Sequence, residues 1–113
     1  MHELPVTQNI LDIALDHAHK AQAKRVLRIN LTIGELSSII DDSVQFYWEI
    51  IAKGTIAEGA VLNFNRIPTL LECHACHTQY KPVDREYACP NCQSLQFKIV
   101  HGQEFFLESI DIE

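Results

Sequence analysis

Apolar residues recur first at helical and then at strand spacing along the first third of the chain. One helical stripe is formed by Ile10, Leu11, Ala14, Leu15 and Ala18, which predicts a helix over residues 4–21. Alternation then follows at Leu27, Ile29, Leu31 and Ile33, which predicts a strand over residues 26–34 with one buried face. Gly34 interrupts this pattern and ends the predicted strand.

A second helix is predicted from about Ser43 to Lys53, with Gly54 placed to end it. Its apolar face would consist of Val44, Tyr47, Trp48 and Ile51. We expect its N-cap oxygen to come from Asp41, Asp42 or Ser43. Strands are predicted at residues 60–67 and 104–112, and in the latter the alternation slips phase near Leu107 and Glu108, as a β-bulge would require.

Residues 69–101 differ in character from the rest of the chain. They hold all four cysteines and three of the six histidines, and their apolar periodicity is weak. We therefore predict an α+β fold, with a small mixed sheet and two helices, interrupted by an inserted zinc-ribbon-like module. The first domain would comprise residues 1–68 and 102–113, and the module residues 69–101.

Charge and composition narrow the function classes. The chain has 113 residues, with 9 Lys and Arg against 15 Asp and Glu, and a formal net charge of −6. This balance argues against nucleic acid as a partner, because phosphates are neutralised by clustered Lys and Arg. Neither a membrane span nor a signal peptide is visible, so the expected compartment is the cytoplasm. Four cysteines in a reducing compartment indicate a metal before they indicate disulfides.

The cysteines form two C-x2-C pairs, Cys73/Cys76 and Cys89/Cys92, with twelve residues between them. Each pair can present two thiolates from one tight turn, and two such turns make a tetrahedral sulfur site. Zinc suits that site best, with iron in a rubredoxin-like site as the main metal alternative. We expect a structural zinc, because four thiolates leave no open position for a substrate and because about thirty residues cannot build an adequate core.

Histidines beside the cysteines and acids before the second helix have simpler explanations than metal binding. His74 and His77 are expected to be solvated loop residues, with ligand substitution as the alternative. Asp41 and Asp42 are most simply helix caps, with metal handling as a weaker second role. No phosphate-binding loop and no convincing nucleophilic triad occurs, so we expect no catalytic residues.

The amino terminus carries a second candidate metal site. The Met1 amine, the His2 amide and the His2 imidazole lie close enough in sequence to form fused chelate rings around one ion, and the Glu3 amide could supply a fourth nitrogen. Planar nitrogen donors suit Ni(II) or Cu(II). Because amides must lose protons to bind, such a site would be pH-sensitive. The alternative is an ordinary chain start with one helix-favouring acid.

Four features together resemble the HypA/HybF family of nickel metallochaperones in [NiFe]-hydrogenase maturation. They are Met1-His2-Glu3-Leu4, the Gly34-Glu35-Leu36-Ser37 turn after a strand, the paired C-x2-C motifs and the closing segment from Glu108 to Glu113. The resemblance covers the whole chain. It implies a nickel site at Met1, His2 and Glu3, and zinc ligands at Cys73, Cys76, Cys89 and Cys92.

The same resemblance implies that Ni(II) is cargo, delivered to a hydrogenase large-subunit precursor together with a separate nickel-binding GTPase. It leaves a homodimer open. The competing hypothesis is a zinc-ribbon protein-interaction module whose amino terminus is inert. Nickel titration of protein with a native start, against protein with an amino-terminal extension, would separate the two hypotheses.

Overall fold

The chain forms two compact units, each with a three-stranded β-sheet. The computed structural model describes residues 3–113. The first unit takes in residues up to Thr32, residues 38–65 and residues 105–113, and the second takes in residues 33–37 and 66–104. In chain order the elements are α1 (Glu3–Lys20), β1 (Val26–Gly34), α2 (Asp41–Ile51), β2 (Val61–Ile67), β3 (Leu70–Cys73), β4 (Gln79–Tyr80), β5 (Phe97–His101) and β6 (Phe105–Ile112).

The first unit places α1 and α2 with a sheet of strand order β2-β1-β6. Its core follows most of the prediction, since the α1 stripe packs with Ile29 and Leu31 of β1 and with Val44 and Trp48 of α2. Leu27, predicted on the buried face of β1, is instead 42% exposed. The strand β1 lies at the centre of this sheet, and its Ile29 and Leu31 are fully buried. The predicted α+β fold is confirmed. Neither helix combines the length and the apolar character that a bilayer crossing demands within residues 3–113.

The start of α2 differs from the prediction. Its N-cap residue is Ile40, and no side chain of the cap residue accepts a hydrogen bond there. The expectation that Asp41, Asp42 or Ser43 supplies the N-cap oxygen is therefore wrong. The Ile40 backbone N–H instead donates to the Glu3 carboxylate at 3.2 Å. An acid from the first turn of α1 thus satisfies a donor at the start of α2.

The second unit is built on the antiparallel sheet β4-β3-β5. Leu71 of β3 lies opposite Tyr80 of β4, and Cys73 lies opposite Phe97 of β5. The buried members of its apolar cluster are Leu71, Cys73, Tyr80 and Cys89. These short strands were not predicted, and the proposed domain limits at residues 69–101 stay a prediction.

Within the second unit, two chain segments cross at van der Waals contact. Gly34 N–H donates to the Glu104 carbonyl at 2.7 Å, and Leu36 N–H donates to the Gly102 carbonyl at 2.6 Å. A Cβ built on Gly34 would stand 2.1 Å from the Gly102 carbonyl carbon and oxygen. Only glycine fits at position 34, which gives the Gly34 break in the sequence a structural cause.

Candidate metal centre

The first cysteine pair sits in a tight turn that continues from β3. Cys73 N–H donates to the Thr78 carbonyl at 2.9 Å, and His77 N–H donates to the Cys73 carbonyl at 3.0 Å. The Ala75 N–H points at the Cys73 sulfur, 3.3 Å away. A backbone donor aimed at sulfur favours the thiolate, which is the form that binds a metal.

The second cysteine pair repeats the same turn. Cys89 N–H donates to the Ser94 carbonyl at 2.9 Å, Gln93 N–H donates to the Cys89 carbonyl at 2.8 Å, and Asn91 N–H approaches the Cys89 sulfur at 3.4 Å. The residue after the second cysteine of each pair is left-handed, with φ of 62° at both His77 and Gln93. Each of these two cysteine turns, called knuckles below, therefore tolerates a side chain at a position that favours glycine.

The four cysteine sulfurs converge on one point. All four lie within 4.8 Å of one another, and the Cys73–Cys92 and Cys76–Cys89 sulfur pairs are 3.5 and 3.6 Å apart. Sulfurs about 2.3 Å from a tetrahedral zinc ion stand about 3.8 Å apart, whereas a disulfide requires about 2.05 Å. The cysteines are thus free thiols rather than disulfides, and their arrangement fits one zinc ion.

The thiols differ in acidity because their hydrogen-bond partners differ. The Asn91 amide and then the Thr78 hydroxyl favour the Cys76 thiolate and lower its pKa to about 5. The Ser94 N–H favours the Cys92 thiolate, but the Cys73 sulfur, desolvation and the other two sulfurs outweigh it and raise the pKa of Cys92 to about 12. Four thiolates at this distance repel one another, so full ionisation requires a cation at their centre.

Two neighbours of the sulfurs were missed by the sequence reasoning. Asn91 Nδ2 lies 3.5 Å from the Cys76 sulfur, and the Thr78 hydroxyl lies 3.1 Å from it. The only available signal was their position inside or just after a knuckle. The four-sulfur cluster includes neither His74 nor His77. His77 is exposed, with Nδ1 3.9 Å from a Glu72 carboxylate oxygen.

The predicted nickel site falls mainly outside the described residues, which exclude Met1 and His2. Glu3, the third residue of that prediction, is the first residue of α1 and only 5% exposed. The Thr7 hydroxyl donates to its backbone carbonyl at 2.5 Å. Burial opposes ionisation of the Glu3 side chain, but the pKa is lowered on balance, with hydrogen bonds from the Glu3 and Ile40 N–H groups among the causes. The Glu3 carboxylate therefore already accepts a hydrogen bond at the start of α2.

Comparison with known proteins gives one consistent result over the whole chain. Residues 1–112 match the family described as HypA, hydrogenase/urease nickel incorporation, metallochaperone. The hydrogenase maturation factor HypA of Dehalococcoides mccartyi is 41% identical over 113 residues, which cover all of this chain and 95% of that protein. The corresponding factor of Caldanaerobacter subterraneus is 37% identical over 114 residues, which cover both chains in full.

Solved structures agree with this result. The solution structure of the nickel metallochaperone HypA from Helicobacter pylori matches with a TM-score of 0.69 and 28% identity, over 99% of this chain and 97% of that chain. A second HypA solution structure matches with a TM-score of 0.77 and 27% identity, over 100% and 97%. A metallochaperone is a carrier, so the expectation that this chain is not an enzyme is confirmed. From its length, its sequence and its fold, the chain belongs to the HypA family of nickel metallochaperones.

Proposed function

We propose that this chain binds one Ni(II) ion at its amino terminus and delivers it to the large-subunit precursor of a [NiFe]-hydrogenase. The observation that carries the proposal is the family match across residues 1–112, which takes in the Met1-His2-Glu3 start. The relatives bear the name hydrogenase maturation factor, which favours a hydrogenase over a urease as the recipient.

The nickel ligands we propose are the Met1 amine and the backbone and imidazole nitrogens of His2, with the Glu3 amide as a fourth donor. Adjacent nitrogens of this kind close five- and six-membered chelate rings, and the resulting planar set suits Ni(II). The Glu3 carboxylate is not required, since it already accepts a hydrogen bond from Ile40 N–H at 3.2 Å. Nickel affinity should weaken as pH falls, because every one of these nitrogens must give up a proton.

The zinc ligands we propose are the four sulfurs of Cys73, Cys76, Cys89 and Cys92. A closed four-thiolate site holds its ion for folding rather than transfer, since no position is open to an incoming ligand. The chain would then carry two metals with different fates, a retained zinc and a transferred nickel. Thiolate ligation also requires a reducing compartment, so we place this transfer in the cytoplasm, together with a nickel-binding maturation GTPase.

Nickel calorimetry on a short variant series tests the nickel site. His2→Ala, and separately a short amino-terminal extension, should each abolish binding of one nickel per chain while zinc content stays unchanged. The matched control is His19→Ala, which removes an exposed α1 histidine and should bind nickel like the native protein. Native affinity in the His2→Ala protein would contradict the proposed site.

Delivery is tested in cells. A strain carrying His2→Ala should lose hydrogenase activity at low nickel and recover part of it when nickel is added to the medium, because a carrier raises metal supply without doing bond chemistry. Full activity of the variant at low nickel would contradict the carrier function. The inert zinc-ribbon interaction module would then be the better account.

A further inference from the structure

The first unit contains an apolar groove between α1 and the edge strand β6. Two adjoining cavities of about 270 and 360 Å³ share Ile13 and Leu107 in their walls. The apolar lining is supplied by Val6, Ile10 and Ile13 of α1 and by Phe105, Phe106 and Leu107 of β6. Phe106 is 49% and Ile13 37% exposed, so apolar surface remains open to solvent here. We call this feature the edge groove.

One wall of the edge groove is an unpaired sheet edge. Among the described residues, β6 pairs with β1 alone. Alternate residues of such a strand direct their N–H and C=O groups away from the sheet, where they can pair with an incoming strand. At eight residues, β6 is long enough to hold a complete added strand. The groove thus offers a main-chain hydrogen-bonding edge next to apolar pockets.

The charges of β6 and its neighbours determine which kind of strand can be added at this edge. Residues 102–113 contain no Lys or Arg, and β6 itself carries Glu108 and Asp111. Asp111 already has a basic partner, since the Arg28 guanidinium lies 3.3 Å from its carboxylate. A second copy of the chain would bring the same acids to the edge and add another net charge of −6. Like charges placed opposite each other oppose pairing, so the fitting strand is basic and not a second copy.

We propose that the edge groove binds an extended segment of a partner protein in which apolar side chains alternate with Lys or Arg, added to β6 as a further strand. Alternation follows from strand geometry, because one face of the added strand would cover the groove and the other would meet solvent and the acids of β6. Main-chain pairing would supply affinity, and the apolar pockets with the acids would supply selectivity.

The groove begins close to the chain's amino end. Val6 follows Glu3 by three residues, which is about one helical turn. A docked segment would therefore bring its protein near Glu3, the first residue that the structure describes. The link to transfer rests on the proposed nickel function, whereas peptide binding itself does not require nickel.

The test uses a fluorescent octapeptide of alternating valine and lysine, titrated with zinc-loaded, nickel-free protein and followed by anisotropy. It should bind, and the alternating valine and glutamate peptide should bind at least about tenfold more weakly. Alternate amides of a strand point to opposite edges. Two further peptides are therefore compared, one N-methylated at every valine and the other at every lysine. One of the two should lose binding and the other should keep it. No binding of the basic peptide, or the same effect from both methylated peptides, would overturn the proposal.

Protein variants locate the site. Glu108→Lys should weaken peptide binding about tenfold, whereas Glu86→Lys, an exposed acid of the second unit, should not. Ile13→Ser should weaken binding severalfold, whereas Ile50→Ser, which is 55% exposed on α2, should not. Circular dichroism would check that every variant is folded. If each variant in the groove weakened binding no more than its control, the peptide would not bind at the edge groove. A protein dimer that buries β6 would show that the occupant is a second copy, which would overturn the proposal.

Discussion

Individual side chains act over very different sequence distances in this protein. The cysteine knuckles are local, since the donors that approach the Cys73 and Cys89 sulfurs come from two residues further along the chain. That locality is why the C-x2-C spacing predicted the metal centre. The hydrogen bond between Glu3 and Ile40 spans 37 positions. No pattern in the sequence marks such a pair, so the cap of α2 was assigned to nearby acids.

Replacing Glu3 by alanine should destabilise the first unit. The Ile40 N–H would lose its acceptor, and α2 would lose the acid at its positive end. We expect a drop in Tm of about 4–8 °C, the usual consequence of losing a helix cap in a domain of this size. Thermal unfolding followed by circular dichroism measures it.

Glu3→Gln separates the hydrogen bond from the charge. The amide oxygen can still accept from Ile40 N–H, so this variant should lie between alanine and the native protein. An unchanged Tm in Glu3→Ala would show that the carboxylate does not cap α2. Zinc content, measured alongside, should be native in both variants.

Glu104 should make the second unit sensitive to acid. Its own backbone N–H, the Gly102 N–H at 2.8 Å and the His101 ring at 3.0 Å lower its pKa below the usual 4.5. A carboxyl whose pKa is lowered in the folded state stabilises that state above the unfolded pKa, and the contribution is lost as pH falls through the folded value. The stability difference between native protein and Glu104→Gln should therefore be full above about pH 4.5 and shrink in stronger acid.

Urea unfolding of the native and Glu104→Gln proteins at a series of pH values measures this difference. Any zinc released in acid is released from both proteins, so it cancels in the comparison. Glu86→Gln, an exposed acid elsewhere in the same unit, is the matched control and should follow the native curve. A pH-independent difference between native and Glu104→Gln proteins would exclude this carboxyl as the source.

Elements with strong apolar periodicity were the predictable ones. The stripe of α1 and the alternation of β1 gave bounds within one residue of those observed. In β6 the predicted phase slip is also present, since Glu108 and Ser109 are both exposed between the half-buried Leu107 and Ile110. The strands β3, β4 and β5 were missed because each is short, and because a sheet beside a metal centre contains few apolar residues that could mark it.

The crossing of Gly34 with the Gly102 segment should tolerate no side chain. In Gly34→Ala the new Cβ would meet backbone atoms of Gly102 at 2.1 Å and of Gln103 at 2.6 Å. Backbone cannot yield as a flexible side chain does, so we expect a loss of at least about 1–3 kcal/mol in the free energy of unfolding. Denaturant unfolding of the zinc-loaded protein measures this loss.

Gly54→Ala is the matched control for that substitution. It adds the same methyl group where nothing lies within 4 Å, although its φ of 77° is strained for alanine. Its cost should stay near about 1 kcal/mol, and zinc binding should be unaffected. A cost at Gly34 no larger than that at Gly54 would mean that the close crossing does not exclude a side chain.

At the scale of the whole molecule, the two units rely on different sources of stability. The first buries a large apolar core that includes Trp48 and Ile29, whereas the apolar cluster of the second has four buried members, of which two are cysteines. The sequence predicted this contrast, because apolar periodicity ends where the cysteines begin. It could not predict that residues 33–37 belong with the second unit. That membership depends on backbone hydrogen bonds, such as Glu35 N–H to the Ile67 carbonyl at 2.9 Å.

Removing zinc should therefore unfold the second unit and leave the first intact. Ion binding to a zinc-dependent module contributes about 10–16 kcal/mol of apparent folding free energy, far more than so small an apolar cluster can replace. After treatment with a strong chelator, or in Cys73→Ser, the amides of β3 and β5 should lose protection from hydrogen exchange while those of α1 and β1 keep it. Re-adding zinc should restore protection in the native protein but not in Cys73→Ser. Protection of β3 that survives the loss of zinc would show that the second unit folds without its metal, and the ion would then need a role other than folding.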